Sequence, residues 1–419
     1  MKSFILKNTT ICDPTHPLHL KVVDIWVQNG TIKSVGKNLK ADGVKDINAK
    51  GEWAFPGWVD TLSYCGAPGH EEDEDVQSLA KTALAGGFTS IATIFGREQA
   101  VDKGSDIDAI MNAIKNEDIQ IIPIGNISHQ KNGAELAELY DMEQAGAGAF
   151  FDGINAHLKS ALSPIVTEYA QGLKSAIYYW PWEAKQYPGA LVGQSITSTQ
   201  MGLKGFPASM ESAQLQVCLQ HMEGSTKPAY FPYLTTAESI ALAKKYKHNF
   251  YGIPMMNLAI PDEELINFHE NLKVMPPLRP KSEIAKLKKA IADGHITCIN
   301  SNHLPLNKEV KECEFLYAKY GAAGLQTVGS LLHETLGSES LQEHGAQLLS
   351  YGGSQVLNLP KNELKEGLEA NITLFNSTIQ WELNALTNKS KSRNYATWGQ
   401  NHLGKCTHSV VQGKLHIHA

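Results

Sequence analysis

The sequence predicts an α/β protein whose central part is a closed (β/α)8 barrel. From about residue 53 onward, eight short apolar stretches alternate with amphipathic helical stretches. Such alternation is typical of a parallel sheet, and eight units are the number that closes into a barrel. An open, doubly wound sheet is the alternative, but no G-x-G-x-x-G motif follows the first strand.

Both ends of the chain predict short strands instead of this alternation. Near the N-terminus, Asn29-Gly30 lies between two alternating apolar runs, which is a strong hairpin signal. The tail returns to strands at about 370–375 and 409–417. Because chain ends often lie close together, we expect residues 1–52 and 365–419 to form one small β-sandwich domain. The barrel is then expected to span residues 53–364.

The barrel elements follow one another in strict order. The predicted strands are 53–60, 90–95, 120–124, 148–152, 176–180, 229–233, 249–255 and 296–301. The predicted helices are 76–85, 107–115, 135–144, 210–222, 237–245 and 283–292, with a further helical region near 322–350. Functional residues of such a barrel lie at the carboxyl ends of the strands. The residues that end each strand are therefore the candidates.

Composition and charge exclude several classes of function. The chain has 419 residues, 42% of them hydrophobic and 19% charged, as in ordinary globular proteins. A net charge of -6 argues against nucleic acid as a partner. The six cysteines include no C-x-x-C pair, and no apolar run approaches membrane-spanning length. We therefore expect a cytoplasmic protein with neither a nucleic-acid nor a membrane partner.

Several short motifs occur in a fixed order along the chain. They are Pro56-Gly-Trp-Val-Asp-Thr61, Pro68-Gly69, Ala85-Gly-Gly-Phe-Thr89, Gly202-Leu-Lys-Gly-Phe-Pro207 with Glu211, Lys273-Val-Met-Pro-Pro-Leu-Arg279, Gly324-Leu-Gln-Thr327 and Gly367-Leu-Glu-Ala-Asn-Ile372. In this order they resemble the bacterial dihydroorotases of the amidohydrolase superfamily over nearly the whole chain. The resemblance implies a barrel of the amidohydrolase type and a place in pyrimidine biosynthesis.

The resemblance also implies a binuclear zinc site. In that family a His-x-His pair on strand one and one His from each of strands five and six bind the metals. Strand four supplies a bridging Asp in many bacterial members and a carboxylated Lys in others. An Asp on strand eight is both ligand and general base, while an Arg and an Asn bind the substrate. Zinc bound by imidazole and carboxylate groups lowers the pKa of its water.

Carried over position by position, these roles fall on side chains that cannot perform them. They fall on Leu62 and Tyr64 for the His-x-His, Gly66 and Gly96 for the substrate Arg and Asn, Trp180 or Pro181 for the strand-five His, Tyr233 for the strand-six His, Asn302 for the strand-eight Asp and Leu306 for a later His. Asp152 alone keeps a ligand-type side chain. The bulky replacements predict a filled barrel mouth and no zinc cofactor.

Three functional hypotheses remain open. The first is a non-catalytic homologue, because inactive members of the family serve as structural partners of aspartate carbamoyltransferase; we also expect a homo-oligomer. The second is an active dihydroorotase or related cyclic-amide hydrolase, with a relocated metal or a metal-free mechanism that uses Asp152 and His303. The third is a small-molecule sensor that uses the old pocket, with Arg279 as a candidate anion contact, although its place after Pro276-Pro277 favours a structural loop residue. The acidic run 70–75 could bind a metal, but carboxylates also favour the start of the helix that follows it.

Overall fold

The computed structural model describes residues 3–154, 162–180 and 182–418. Its strands are β1 (Phe4–Ile11), β2 (Val22–Gln28), β3 (Thr31–Gly36), β4 (Lys45–Asn48), β5 (Trp53–Pro56), β6 (Trp58–Cys65), β7 (Phe88–Phe95), β8 (Gln120–Gly125), β9 (Ala149–Phe150), β10 (Ala176–Ile177), β11 (Val192–Gly193), β12 (Gly205–Phe206), β13 (Tyr230–Phe231), β14 (Phe250–Pro254), β15 (Cys298–Asn300), β16 (Ile372–Glu382), β17 (Asn401–Val411) and β18 (Lys414–Ile417). Its α-helices are α1 (Val76–Ala85), α2 (Gly104–Ile114), α3 (Leu139–Ala145), α4 (Leu162–Ala170), α5 (Ile196–Gln200), α6 (Ala208–His221), α7 (Ala237–Ala243), α8 (Met255–Ala259), α9 (Lys281–Ala292), α10 (Lys308–Lys311), α11 (Val328–Leu336), α12 (Ser338–Ala346) and α13 (Gly352–Val356).

Strands from both chain ends form one eight-stranded sheet. The order is β18-β17-β16-β5-β1-β2-β3, with β4 paired to β1. β16 joins the two ends, because Ile372 lies opposite Pro56 in an antiparallel pair with β5. The inward side chains, such as Phe4, Ile25 and Val410, form a separate hydrophobic core. The predicted domain limits at 52/53 and 364/365 stay a prediction.

The stretch 53–60, expected to be one barrel strand, is two strands. β5 pairs with β1 and β16 in the terminal sheet, while β6 begins the barrel. Gly57 separates them and donates its backbone N–H to the carbonyl of Asn371 at 2.9 Å. A Cβ at Gly57 would lie 2.5 Å from Oγ1 of Thr89, so this close crossing requires glycine.

The eight parallel barrel strands close on themselves, which confirms the predicted fold. β6 to β10 form one run and β13 to β15 another. Parallel bridges join the two runs, one between Tyr178 and Tyr230 and one between Ser63 and His303. At the second junction the N–H of Tyr64 donates to the carbonyl of His303 at 2.8 Å.

Helices surround the barrel and bury its outer face. The inward residues of α1, α2 and α9, for example Leu79, Ile107 and Leu287, pack against the strands in the largest core cluster. The helical region predicted near 322–350 is α11 and α12, followed by one π-helical turn at Gln347–Tyr351. In the described part of the chain, no helix has the length and apolar character that crossing a membrane requires.

Candidate functional site at the barrel mouth

A chain of polar contacts crosses the barrel mouth at the carboxyl ends of the strands. The hydroxyl groups of Tyr64 and Tyr233 lie 3.4 Å apart, and Tyr233 donates to Oδ1 of Asn302 at 3.0 Å. Burial raises the pKa of both tyrosines, so the phenols stay protonated. Leu62, two residues before Tyr64, is fully buried. These side chains fill the mouth with neutral groups.

Aromatic rings continue this filling on the side of the fifth and sixth strands. Trp180 stacks on Trp182 with 5.4 Å between ring centroids. Trp180 also meets Tyr233 edge-on at 5.4 Å, and Phe151 lies 6.1 Å from Tyr233. Ring pairs at these distances are favourable. Pro181, the other position predicted for the strand-five ligand, lies outside the described residues.

The loop after β15 is fixed by amide groups. Asn302 adopts a left-handed backbone with φ 44°, and its Nδ2 donates to the carbonyl of Met275 at 3.0 Å. Further along, the N–H of buried Leu306 donates to Oδ1 of Asn394 at 3.2 Å. Both ends of the Asn302 amide are therefore engaged by protein groups, and an amide cannot act as a base.

Asp152 is a buried carboxylate held by its neighbours. Its Oδ1 accepts the N–H groups of Ile127 and Ser128 at 2.8 and 2.9 Å, and its Oδ2 accepts the Ser128 hydroxyl at 2.7 Å. Burial raises its pKa, while these hydrogen bonds and the charge of Lys131 oppose the increase. This environment is that of a hydrogen-bonded carboxylate at the end of a strand.

Two glycines stand where the resemblance places the substrate-binding Arg and Asn. A Cβ at Gly66 would lie 2.1 Å from the carbonyl oxygen of His70, so the following loop is folded directly against it. Gly96 has φ 67° and donates its N–H to the carbonyl of Ala67 at 3.0 Å. The backbone therefore occupies the space that a side chain at position 66 would need.

His303 is fully buried beside Glu74. Its Nδ1 accepts the backbone N–H groups of Gly324 and Leu325 at 3.1 and 3.4 Å, which places the ring proton on Nε2. Nε2 lies 3.4 Å from Oε2 of Glu74, within ion-pair distance but without hydrogen-bond alignment. Glu74 also accepts a short hydrogen bond from the Ser390 hydroxyl. Both side chains are closed to solvent.

The second half of the acidic run 70–75 is folded into the protein, while Glu71 and Glu72 are exposed. Asp75 caps α1 through a capping box with Ser78, and Asp73 forms an ion pair with Arg97. His70, Glu72 and Asp73 offer donor atoms within 4.8 Å of one another. However, Nη2 of Arg97 lies 3.4 Å from Nδ1 of His70, so a guanidinium already supplies positive charge there.

Arg279, the possible anion contact of the sensor hypothesis, is a buried residue with protein partners, as its place after Pro276-Pro277 indicates. It is 1% exposed, and its Nη2 lies 3.5 Å from Oε2 of Glu211. Glu211 also accepts the N–H and the hydroxyl of both Thr235 and Thr236. A buried charged pair is stable only when further hydrogen bonds compensate for the lost water, and the two threonines supply them. Arg279 and Glu211 therefore both stabilise the fold.

A cavity of about 310 Å³ remains beside β6 and β7. We call it the mouth cavity; its walls include Tyr64, Ile94, Arg97, Lys131, Leu306 and Tyr320. Nothing in the sequence separates Lys131 from the other lysines except its place after the third barrel strand. Arg97 directly follows the second barrel strand, and this position is the sequence feature that could have identified it as a site residue.

Several known proteins are similar to this chain along its whole length. The dihydroorotase of Trichlorobacter lovleyi is 27% identical over 420 residues, covering 99% of each chain. That of Syntrophus aciditrophicus is 28% identical over 420 residues, covering 98% of each. The solved L-hydantoinase (dihydropyrimidinase) from Arthrobacter aurescens has a TM-score of 0.85 at 17% identity, covering 99% of this chain and 96% of its own. No protein-family model matches the chain.

A closed (β/α)8 barrel joined to a β-sandwich from both chain ends is the fold that this chain shares with the solved L-hydantoinase. Together with the full-length similarity to dihydroorotases, it defines an amidohydrolase-superfamily protein. Within that superfamily the chain is dihydroorotase-like.

The residues at the mouth do not fit the zinc pair that the resemblance implies. Zinc needs imidazole, thiolate or carboxylate donors. Among the described residues, positions 62, 64, 233 and 302 offer an aliphatic chain, two protonated phenols and an amide. The oxygens of Asp152 already accept three hydrogen bonds. The described mouth residues therefore lack the donor set that a zinc pair requires.

Proposed function

We propose that this protein is a dihydroorotase homologue of pyrimidine biosynthesis that holds no zinc pair and is non-catalytic. It acts as a structural or regulatory partner of aspartate carbamoyltransferase. The observation that carries this proposal is the chain of contacts from Tyr64 through Tyr233 to Asn302. It occupies the positions where the resemblance places two metal ligands and the general base.

The chemistry of hydrolysis supports the same conclusion. Opening a cyclic amide requires an activated water and a group that accepts its proton. Asn302 has no basic atom, and the one acceptor nitrogen of His303 is used by two backbone N–H groups. Asp152 is buried, and its carboxylate already accepts three hydrogen bonds from Ile127 and Ser128.

The partner role is tested with the whole chain and the aspartate carbamoyltransferase of the same cell. Sedimentation velocity at about 10 µM of each protein should show a species larger than either alone, which corresponds to a micromolar or tighter affinity. The chain alone should sediment as a homo-oligomer. Independent sedimentation of the two proteins at this concentration would contradict the partner role.

An active hydrolase is the second candidate, and the grouping of His70, Glu72 and Asp73 is the observation that favours a relocated metal. Dihydroorotate turnover, assayed with and without added zinc, separates the candidates. The non-catalytic proposal predicts no turnover in either condition. Turnover that needs zinc and is lost in Glu72→Gln would establish the relocated site. Turnover without metal would instead implicate Asp152 and His303.

A further inference from the structure

We propose that Glu334, His402 and Thr397 form a hydrolytic triad that cleaves small neutral carboxylic esters. The three side chains lie in the wall of one cleft between α8, α11 and the start of β17. We call it the outer cleft; its walls include Ala259, Leu331, Glu334, Thr397, Asn401 and His402. The inference goes beyond the proposed function, which concerns cyclic amides at the barrel mouth and a protein partner.

The imidazole of His402 joins the carboxylate of Glu334 to the hydroxyl of Thr397. Its Nδ1 lies 3.3 Å from Oε1 of Glu334, and its Nε2 lies 3.0 Å from Oγ1 of Thr397. A carboxylate only accepts hydrogen bonds, so Nδ1 of the neutral ring carries the proton and Nε2 is the acceptor. The Thr397 hydroxyl therefore donates to Nε2. A carboxylate, an imidazole and a hydroxyl in this order can activate the hydroxyl as a nucleophile.

Neighbouring groups hold the carboxylate and the ring in place. The backbone N–H of Leu403 donates to Oε1 of Glu334 at 2.7 Å. Burial raises the pKa of Glu334, but the hydrogen bonds from His402 and Leu403 lower it by more, so that it lies below its ordinary value. The ring of Trp381 lies 5.4 Å from that of His402. Glu334 is therefore ionised at neutral pH, and the imidazole is held with Nε2 towards Thr397.

The size and walls of the outer cleft define the substrate class. A volume of about 400 Å³ corresponds to roughly thirteen water molecules at about 30 Å³ each, or a ligand of about thirteen heavy atoms. Ile260, Leu272 and Leu331 provide apolar walls. The titratable side chains in the wall are Glu264, His269, Glu334 and His402. Because two of them are carboxylates and none is a lysine or an arginine, a neutral ester is favoured over an anionic one.

The reaction uses the hydroxyl, the imidazole and one water. Oγ1 of Thr397 attacks the carbonyl carbon of the ester, and its proton moves to Nε2 of His402 as the new C–O bond forms. The bond to the alcohol oxygen then breaks, and this oxygen takes the proton from Nε2. Water attacks the acyl-threonine by the same route, which releases the carboxylic acid and regenerates Thr397. The backbone N–H of Thr397 has no acceptor among the described residues, and it is the donor nearest in sequence to the oxyanion.

Hydrolysis of p-nitrophenyl acetate by the whole chain tests the proposal. Thr397→Val replaces the hydroxyl by a methyl group of similar size, whereas Thr397→Ser keeps a hydroxyl. We expect the valine variant to lose at least about tenfold of the rate above background and the serine variant to stay within about threefold. Thr226→Val is the matched control, because exposed Thr226 donates to Gln171 and is not part of the cleft wall. No hydrolysis by the unchanged chain, or an equal rate in Thr397→Val, would overturn the proposal.

Covalent labelling gives a second readout that needs no stable variant. Diisopropyl fluorophosphate phosphorylates hydroxyl groups that an imidazole activates. Peptide mass spectrometry should find the label on Thr397 in the folded chain and not after denaturation in urea. Glu334→Gln, which no longer favours the proton on Nδ1 of His402, should slow both labelling and hydrolysis at least about tenfold. Labelling of other residues only, or none, would overturn the proposal, and neither result bears on dihydroorotate turnover or on the partner protein.

Discussion

The phenol of Tyr233 donates a hydrogen bond to Oδ1 of Asn302 at 3.0 Å, across the barrel mouth. Tyr233 follows β13 and Asn302 follows β15, so the contact ties two strands that are not neighbours in the barrel. The second hydroxyl contact, from Tyr233 to Tyr64 at 3.4 Å, extends the connection to β6. One ring therefore links three strands at the place where a catalytic barrel is open.

Truncation of the Tyr233 side chain should lower the free energy of unfolding. Tyr233→Ala removes a buried ring from the aromatic cluster and should destabilise the protein by about 3–5 kcal/mol. Tyr233→Phe removes the hydroxyl alone and should cost about 1 kcal/mol. Urea denaturation measures both. If the alanine variant were as stable as the phenylalanine variant, the ring would not be packed as described.

Restoring the family's base at position 302 should not restore catalysis. Asn302→Asp replaces an amide donor by an acceptor that faces the carbonyl of Met275. We expect a loss of about 1–3 kcal/mol in stability and no dihydroorotate turnover. Asn48→Asp is the matched control, because exposed Asn48 acts as an acceptor for the N–H of Lys50. Turnover by the Asn302 variant would mean that the other mouth residues still support hydrolysis.

Restoring the substrate-binding arginine should disrupt the loop after β6. In Gly66→Arg the new Cβ would lie 2.1 Å from a backbone oxygen of His70, and we expect a loss of about 3 kcal/mol or more. Gly172→Arg is the control, since the nearest atom to a Cβ there, the carbonyl oxygen of Tyr169, lies 3.8 Å away. Thermal unfolding compares the two. Similar melting temperatures would contradict the close contact at position 66.

Lys311 should contribute stability that increases as the pH rises above neutrality. This lysine is 1% exposed, and burial, with repulsion from Lys273, lowers its pKa from 10.5 to about 7. Between these values the unfolded state binds a proton at this lysine that the folded state does not, so the contribution of Lys311 to stability increases as pH rises from about 7 towards 10.5.

Urea denaturation at several pH values from 7 to 10 checks the slope. Lys311→Met should make the slope less positive than in the unchanged chain, because the variant lacks the lysine that titrates differently in the two states. Lys308→Met, an exposed position on the same helix α10, should leave the slope unchanged. Equal slopes in the two variants would show that another group is responsible.

The fold could be predicted because its determinants are local and repeated. Each barrel strand is a short apolar run before an amphipathic helix, and the family motifs fix their order. The break between β5 and β6 could not be predicted, because the continuous run 53–60 is divided by a contact of Gly57 with Asn371, more than 300 residues away.

The positions that form the site could be predicted from the sequence, but the contacts that their side chains make could not. The resemblance identifies Leu62, Tyr64 and Tyr233 as mouth positions, and their bulk indicates filling. The pairing of His303 with Glu74 and the loop folded against Gly66 depend on long-range packing. The place of Lys131 in the wall of the mouth cavity also could not be predicted, because its residue type does not distinguish a half-buried lysine from a solvated one.

Zinc content tests the central claim most directly. The purified chain should be dialysed against excess zinc, then against metal-free buffer, and its bound zinc measured by mass spectrometry. With Leu62, Tyr64, Tyr233 and Asn302 at the mouth, we predict less than about 0.1 zinc per chain. Retention of about one or two zinc ions per chain, lost when Asp152 is replaced by alanine, would contradict the account.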